Sequence, residues 1–70
     1  MISLQQIQVR LAEAIRLSGM SQTDIAKKLN LSPSAISHYV KGDKMPALDT
    51  LANLCKLLDA DTNYILCQEQ

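Results

Sequence analysis

Side chains that could carry out acid–base, nucleophilic or metal chemistry are few in this sequence of 70 residues. It contains one histidine, His38, and two cysteines, Cys55 and Cys67. Nucleophilic catalysis needs a serine or cysteine beside a base, and neither that arrangement nor a glycine-rich phosphate loop is recognisable. A zinc site needs more ligands than these three residues offer. We therefore expect no enzyme, no metal site and no cofactor.

A different chemistry, hydrogen bonding to another molecule, is offered by polar side chains between Pro33 and Lys41. Ser34, Ser37 and His38 fall on one side of a helix that would begin at Pro33. The opposite side carries the apolar residues Ile36, Tyr39 and Val40. The hydroxyls donate or accept hydrogen bonds, and an imidazole can donate them. The face Pro33, Ser34, Ser37 and His38 is thus a candidate binding surface.

The element that must hold this surface is a pair of short helices between Ser21 and Gly42. Ser21 is a plausible N-cap, with Asp24 three residues later, and the apolar face that follows predicts a helix from Gln22 to Leu29. Its apolar residues are Ile25, Ala26 and Leu29. Asn30, which tolerates a left-handed conformation better than most residues, ends this helix at a tight corner.

The second helix is bounded by three capping signals. Ser32 can cap its start, Pro33 suits the first helical position, and Gly42 is a natural stop, which predicts a helix from Pro33 to Lys41. The small Ala26 allows close approach where the two helices cross. Together they form a helix-turn-helix, and the alternative is a corner between two helices in an unrelated small bundle.

The stretch SQTDIAKKLNLSPSAISHYVKG resembles the Cro and phage-repressor type of helix-turn-helix domain, also called the xenobiotic-response-element family. The likeness extends to Gly19–Gln22 before it and Met45–Leu51 after it, and so covers nearly the whole chain. The resemblance implies one lambda-repressor-like domain of five helices over residues 1–70. Where the family often has an ion pair, this sequence has Ile15 and Val40. We predict that these two side chains touch, because replacing both ions by apolar groups leaves no charge unpaired.

The rest of the chain also predicts helices. Hydrophobic residues make up 47% of the sequence and aromatic residues 3%, with no alternating β-branched run, so the fold class is all-α. A Ser3–Gln6 capping box predicts a first helix from Leu4 to Ser18. A fourth helix is expected from Leu48 to Leu58, and a fifth, capped by Asp61, from Thr62 to Cys67. We expect the tail 68–70 to be frayed.

Two further details concern the fourth helix. Its buried side is predicted to consist of Leu48, Leu51, Leu54, Cys55 and Leu58. Asp59 is predicted to take a left-handed exit conformation, less comfortably than glycine would.

The charge distribution favours a nucleic-acid partner although the net charge is zero. Residues 1–48 have a net charge of +3 and residues 49–70 a net charge of −3, so the helix-turn-helix lies in the basic half. An ordinary solvated surface could show the same division. The charge alone is therefore weak support.

A helix fits the major groove of B-DNA, where outward residues near its N-terminus can reach base edges. The expected base-reading residues are Pro33, Ser34, Ser37 and His38, with His38 donating to guanine N7 or O6. Expected phosphate contacts come from Gln22, Lys28, Lys41 and Lys44. Alternatively, His38 is an exposed helix residue without a role, Ser34 serves helix propensity, and Gln22 and the lysines serve solubility.

The resemblance further implies a homodimer on a pseudo-palindromic operator of double-stranded DNA, and a repressor that acts by operator occupancy. Tyr64 and Leu66 are the expected dimer interface, or else they close the core. The alternative function is an antitoxin-like module that binds a protein partner. No segment is apolar enough to span a bilayer and no leader is recognisable, so we expect a cytoplasmic protein without a membrane partner.

Overall fold

The computed structural model describes residues 1–69. It contains five α-helices: α1 (Leu4–Leu17), α2 (Gln22–Leu29), α3 (Pro33–Lys41), α4 (Leu48–Leu58) and α5 (Thr62–Ile65). Residues 1–69 include no strand, which confirms the all-α, five-helix prediction. Within the same range, no helix has the length and apolar character needed to cross a membrane.

Local capping accounts for most helix boundaries. The side chains of Ser3 and Gln6 form the predicted capping box of α1, and the Ser21 side chain accepts a hydrogen bond from the backbone of Asp24. Asn30 and Asp59 adopt left-handed conformations with φ of 57° and 52°, as predicted, and end α2 and α4. These residues set the directions in which α3 and α5 leave.

One hydrophobic cluster connects the five helices. The fully buried side chains Leu11, Ile25, Ile36, Leu54 and Ile65 come one from each helix. Ala26 is also fully buried, which lets α2 and α3 pack closely. Ile15 is buried in this cluster and Val40 packs against it, and a direct contact between these two side chains stays a prediction. The cluster holds α3 by its inner face and leaves its other face to solvent.

Two sequence-based predictions about the fourth and fifth helices are wrong. The spacing predicts Leu48 on the buried side of α4, but Leu48 is the first residue of that helix, lies beyond the edge of the core and is 86% exposed. The fifth helix ends at Ile65 rather than Cys67, because Cys67 adopts a positive φ of 60°. The Glu69 carboxylate contacts Arg10, and fraying of the tail 68–70 stays a prediction. Gln70 lies outside the described residues.

Candidate nucleic-acid interface

The inner face of α3 anchors the candidate interface to the core. Ile36 has no exposed surface and Tyr39 retains 9% exposure. The Ser32 side chain accepts a hydrogen bond from the backbone of Ala35 and caps the helix, and Pro33 occupies its first turn. Burial of the inner face and this cap fix the rotation of α3, so its opposite face is directed away from the core.

The four expected base-reading residues share that outward face of α3, which we call the reading face. Pro33 and Ser34 are exposed, whereas Ser37 and His38 are half-buried. The hydroxyl of Ser34 lies 3.1 Å from the hydroxyl of the capping Ser32, with either one as donor. The structure therefore brings the four residues together, and their role in reading bases stays a prediction.

His38 has a partner that the sequence analysis did not identify. Its Nδ1 atom lies 3.2 Å from Oδ2 of Asp43, in the loop after α3. The His38 side chain retains 39% of its accessible surface and the Asp43 side chain 58%. The loop turns back toward α3 because Gly42 has a φ of 90° and the backbone N–H of Asp43 donates to the carbonyl of His38. Asp43 therefore lies next to the reading face and contacts one of its residues.

The expected phosphate-binding residues divide into two groups. Gln22 is exposed at the start of α2, and Lys41 and Lys44 are exposed at the end of α3 and in the following loop. Lys28 is exposed as well, but it lines a surface groove with Asn53 and Lys56 of α4. The structure thus groups Lys28 with α4, whereas Lys41 and Lys44 flank the end of α3.

A glutamine of α1 braces the C-terminal end of α3. The side-chain Nε2 of Gln8 donates to the backbone carbonyls of Tyr39 and Val40 at 3.0 Å each. A Cβ atom at Gly42 would lie 3.1 Å from the amide carbon of Gln8. Sequence reasoning missed Gln8, because no local pattern links residues that are more than 30 positions apart.

The proposed dimer residues lie at a second surface, formed by α1 and α5. Tyr64 is 38% exposed and Leu66 is half-buried against the core. The guanidinium of Arg10 stacks over the Tyr64 ring at 4.4 Å from its centre, donates to the Tyr64 carbonyl at 2.7 Å, and pairs with Glu69 at 2.6 Å. We call Arg10, Tyr64 and Glu69 the α1–α5 corner.

The Glu69 carboxylate stabilises the charged form of Arg10 in this corner. The hydrogen bond to the Glu69 carboxylate is the main cause that raises the pKa of Arg10 above its ordinary value. The Tyr64 hydroxyl also donates to Glu13 at 3.4 Å, near the limit for a hydrogen bond. The sequence analysis identified Tyr64 but not Arg10 or Glu69.

The cysteines and the histidine do not converge on a site. Cys55 is buried and Cys67 is half-buried, and both are free thiols. No group of three or more His, Cys, Asp or Glu side chains in residues 1–69 could hold a metal ion.

Comparison with known proteins agrees with this geometry. The sequence model of a helix-turn-helix family matches residues 11–65, more than half of the chain. The chain therefore belongs to the Cro/C1-type helix-turn-helix family, also called the xenobiotic-response-element family. This confirms the resemblance found in the sequence.

Among characterised proteins, the chain is similar to the HTH-type transcriptional regulator ImmR of Bacillus subtilis (strain 168). The two are 34% identical over 61 residues, which cover 87% of this chain and 48% of the relative. The chain thus spans about half the length of the curated relative that it matches. No solved structure matches the chain significantly.

Proposed function

We propose that residues 1–70 form a single domain that binds double-stranded DNA sequence-specifically and serves as a small transcription regulator. The observation that carries this proposal is the division of α3 into two faces. Ile36 and Tyr39 hold one face in the core, while the reading face presents polar side chains to solvent. A helix held in this way can enter the major groove without disturbing the core.

In this proposal, Pro33, Ser34, Ser37 and His38 contact base edges. Gln22, Lys41 and Lys44 contact phosphates from both ends of the helix-turn-helix, and Lys28 is a more distant contributor because it lies beside α4. These basic residues are few, so one domain alone binds weakly, and its affinity falls with salt in proportion to the few phosphates that it neutralises. No catalytic step and no cofactor is part of this function.

The regulator is proposed to act as a homodimer on a pseudo-palindromic operator, in the cytoplasm, and to repress by occupying that operator. Tyr64 and Leu66 form the proposed interface, together with Val9, which is 52% exposed and lines the same groove as Tyr64. Pairing of two copies would put two α3 helices about 34 Å apart, one helical turn of DNA.

Selection of binding sequences from random duplexes tests the base-reading proposal. The wild-type domain is expected to enrich one sequence, and His38→Ala is expected to lose the preference at a single position. Asn63→Ala, an exposed residue of α5, is the matched control and should enrich the wild-type sequence. If the wild type enriches nothing at low salt, the DNA-binding proposal fails, and the alternative of a protein-binding module is favoured.

The dimer has its own test, sedimentation of the protein with a duplex that carries two half-sites. In the wild type, two copies should bind the duplex cooperatively. In Val9→Lys, the two half-sites should be occupied independently. Leu17→Lys serves as the control, because Leu17 is an even more exposed apolar residue of α1 and does not line the groove that contains Tyr64. Unchanged cooperativity in Val9→Lys would exclude this interface and leave DNA binding by α3 untouched.

A further inference from the structure

The contact between His38 and Asp43 determines which imidazole nitrogen of His38 carries the proton, and therefore which base His38 can read. His38 is the one histidine of the chain, and its Nδ1 atom lies 3.2 Å from the Asp43 carboxylate. An ionised carboxylate accepts hydrogen bonds and donates none. The hydrogen atom of this bond must therefore lie on Nδ1 of His38. A neutral imidazole has only one N–H, so its second nitrogen, Nε2, carries a lone pair.

This lone pair is accessible to a ligand. Nε2 of His38 has no hydrogen-bond partner among residues 1–69. In the same residues, no buried side-chain nitrogen or oxygen lacks a partner, so Nε2 must reach solvent. His38 lies on the reading face beside the exposed Ser34 and the half-buried Ser37. Nε2 is thus an unsatisfied acceptor on the surface proposed to face DNA.

We infer that Asp43 determines base specificity by positioning His38 as a hydrogen-bond acceptor toward DNA. The base that His38 reads then presents an amino group in the major groove, which is adenine N6 or cytosine N4. Guanine N7 and O6 only accept hydrogen bonds, so the guanine contact expected from the sequence requires a proton on Nε2. In the neutral ring, the contact with Asp43 keeps the single proton on Nδ1 and so disfavours that arrangement. This inference rests on the proposed DNA-binding function and identifies the residue that sets its specificity at one base.

The tautomer can be measured without DNA. Because His38 is the sole histidine, a long-range nitrogen–proton NMR spectrum at pH 8, where histidine is generally neutral, reports this ring alone. The wild type is expected to show protonated Nδ1 and unprotonated Nε2. Asp43→Ala should shift the population toward protonated Nε2. Asp61→Asn removes the same charge and keeps a capping side chain on α5, so it should leave the tautomer unchanged.

Base analogues then test the contact to DNA at pH 8. The test is made at the base position whose preference is lost in His38→Ala. There the amino group is removed by replacing adenine with purine, or cytosine with 2-pyrimidinone. This removal should weaken binding of the wild-type protein about 3- to 10-fold. The same substitution should change binding by His38→Ala by less than about 2-fold. Asp43→Ala should tolerate the loss of the amino group better than the wild type does, whereas Asp61→Asn should behave like the wild type.

The NMR and binding results can contradict the role of Asp43 and the DNA-binding function independently of each other. Protonated Nε2 in the wild-type spectrum overturns the inference whatever the protein binds. A selected site in which 7-deazaguanine at the His38 position weakens binding, while loss of an amino group does not, overturns it and leaves DNA binding intact. Failure to enrich any duplex, with the predicted tautomer present, counts against the proposed function and keeps the Asp43-dependent tautomer.

Discussion

The reading face and the α1–α5 corner use their polar groups in opposite ways. In the corner, Arg10 is committed to three internal partners: the Tyr64 ring, the Tyr64 carbonyl and Glu69. On and beside the reading face, the side-chain hydrogen bonds within residues 1–69 join near neighbours, as in the pairs Ser32–Ser34 and His38–Asp43. The corner joins residues more than 50 positions apart, whereas the reading face joins residues at most five apart.

This difference separates residues that close the fold from residues left available for the proposed contact with DNA. The corner attaches the C-terminal segment to α1, so its side chains serve tertiary structure. The reading face is held from behind by Ile36 and Tyr39, and its own polar atoms contribute little to the fold. Substitutions on the two surfaces should therefore divide between stability and binding.

The largest effect is expected from the inner face of α3. Ile36→Ala should lower the free energy of unfolding by about 2–5 kcal/mol, because it leaves a cavity in a fully buried site. Ser37→Ala, on the adjacent residue, should change stability by less than about 0.5 kcal/mol and alter the selected DNA sequence. Urea titration of both variants measures the contrast. Comparable losses of stability would mean that α3 does not have two distinct faces.

The next effect concerns the brace at the end of α3. Gly42→Ala should cost about 2–3 kcal/mol, because an L-residue is strained at a φ of 90° and its Cβ displaces the Gln8 amide. Gly19→Ala is the matched control, since Gly19 also has a positive φ, 76°, but no atom within 4 Å of the added Cβ. It should cost about 1–2 kcal/mol. Equal thermal shifts for the two variants would show that the Gln8 contact is unimportant.

A smaller effect, on binding alone, is expected at the lysines. Lys44→Ala should weaken all DNA sequences to a similar extent and reduce the slope of log affinity against log salt by about 1. Lys56→Ala, in the acidic C-terminal half, should leave the slope unchanged. Fluorescence anisotropy at several salt concentrations distinguishes the two. A reduced slope for Lys56→Ala would move the phosphate contacts toward α4.

The smallest effect is expected at the exposed corner. Arg10→Met should lower the melting temperature slightly, with a deficit that shrinks as salt screens the pair with Glu69. Arg16→Met, an exposed arginine of the same helix with no partner in residues 1–69, should not show this salt dependence. Neither variant should change the selected DNA sequence. A changed base preference in Arg10→Met would contradict the division between the two surfaces.

Contacts between residues close in the sequence were predictable, whereas contacts between distant residues were not. Helix boundaries set by neighbouring residues were predictable: the Ser3–Gln6 capping box, the Ser32–Pro33 start of α3, and the left-handed Asn30 all occur as predicted. The brace from Gln8 and the pair Arg10–Glu69 were not, because nothing local in the sequence indicates which distant groups a long polar side chain will meet.

Exposure was harder to predict than helicity. Leu48 has the spacing of a buried residue but lies in the first turn of α4, beyond the reach of the core. The early end of α5 results from Cys67 in a left-handed conformation, for which a cysteine gives no sequence signal. The grouping of Pro33, Ser34, Ser37 and His38 was predictable because a single helix carries all four.

Amide chemical-shift mapping with a duplex that carries one half-site of the selected sequence, on which no second copy covers Tyr64, tests the central claim most directly. The account predicts the largest shifts at the start of α2, along α3 and in the loop 42–47, with small shifts at Arg10, Tyr64 and Glu69. Large shifts confined to the α1–α5 corner, with α3 unchanged, would contradict it.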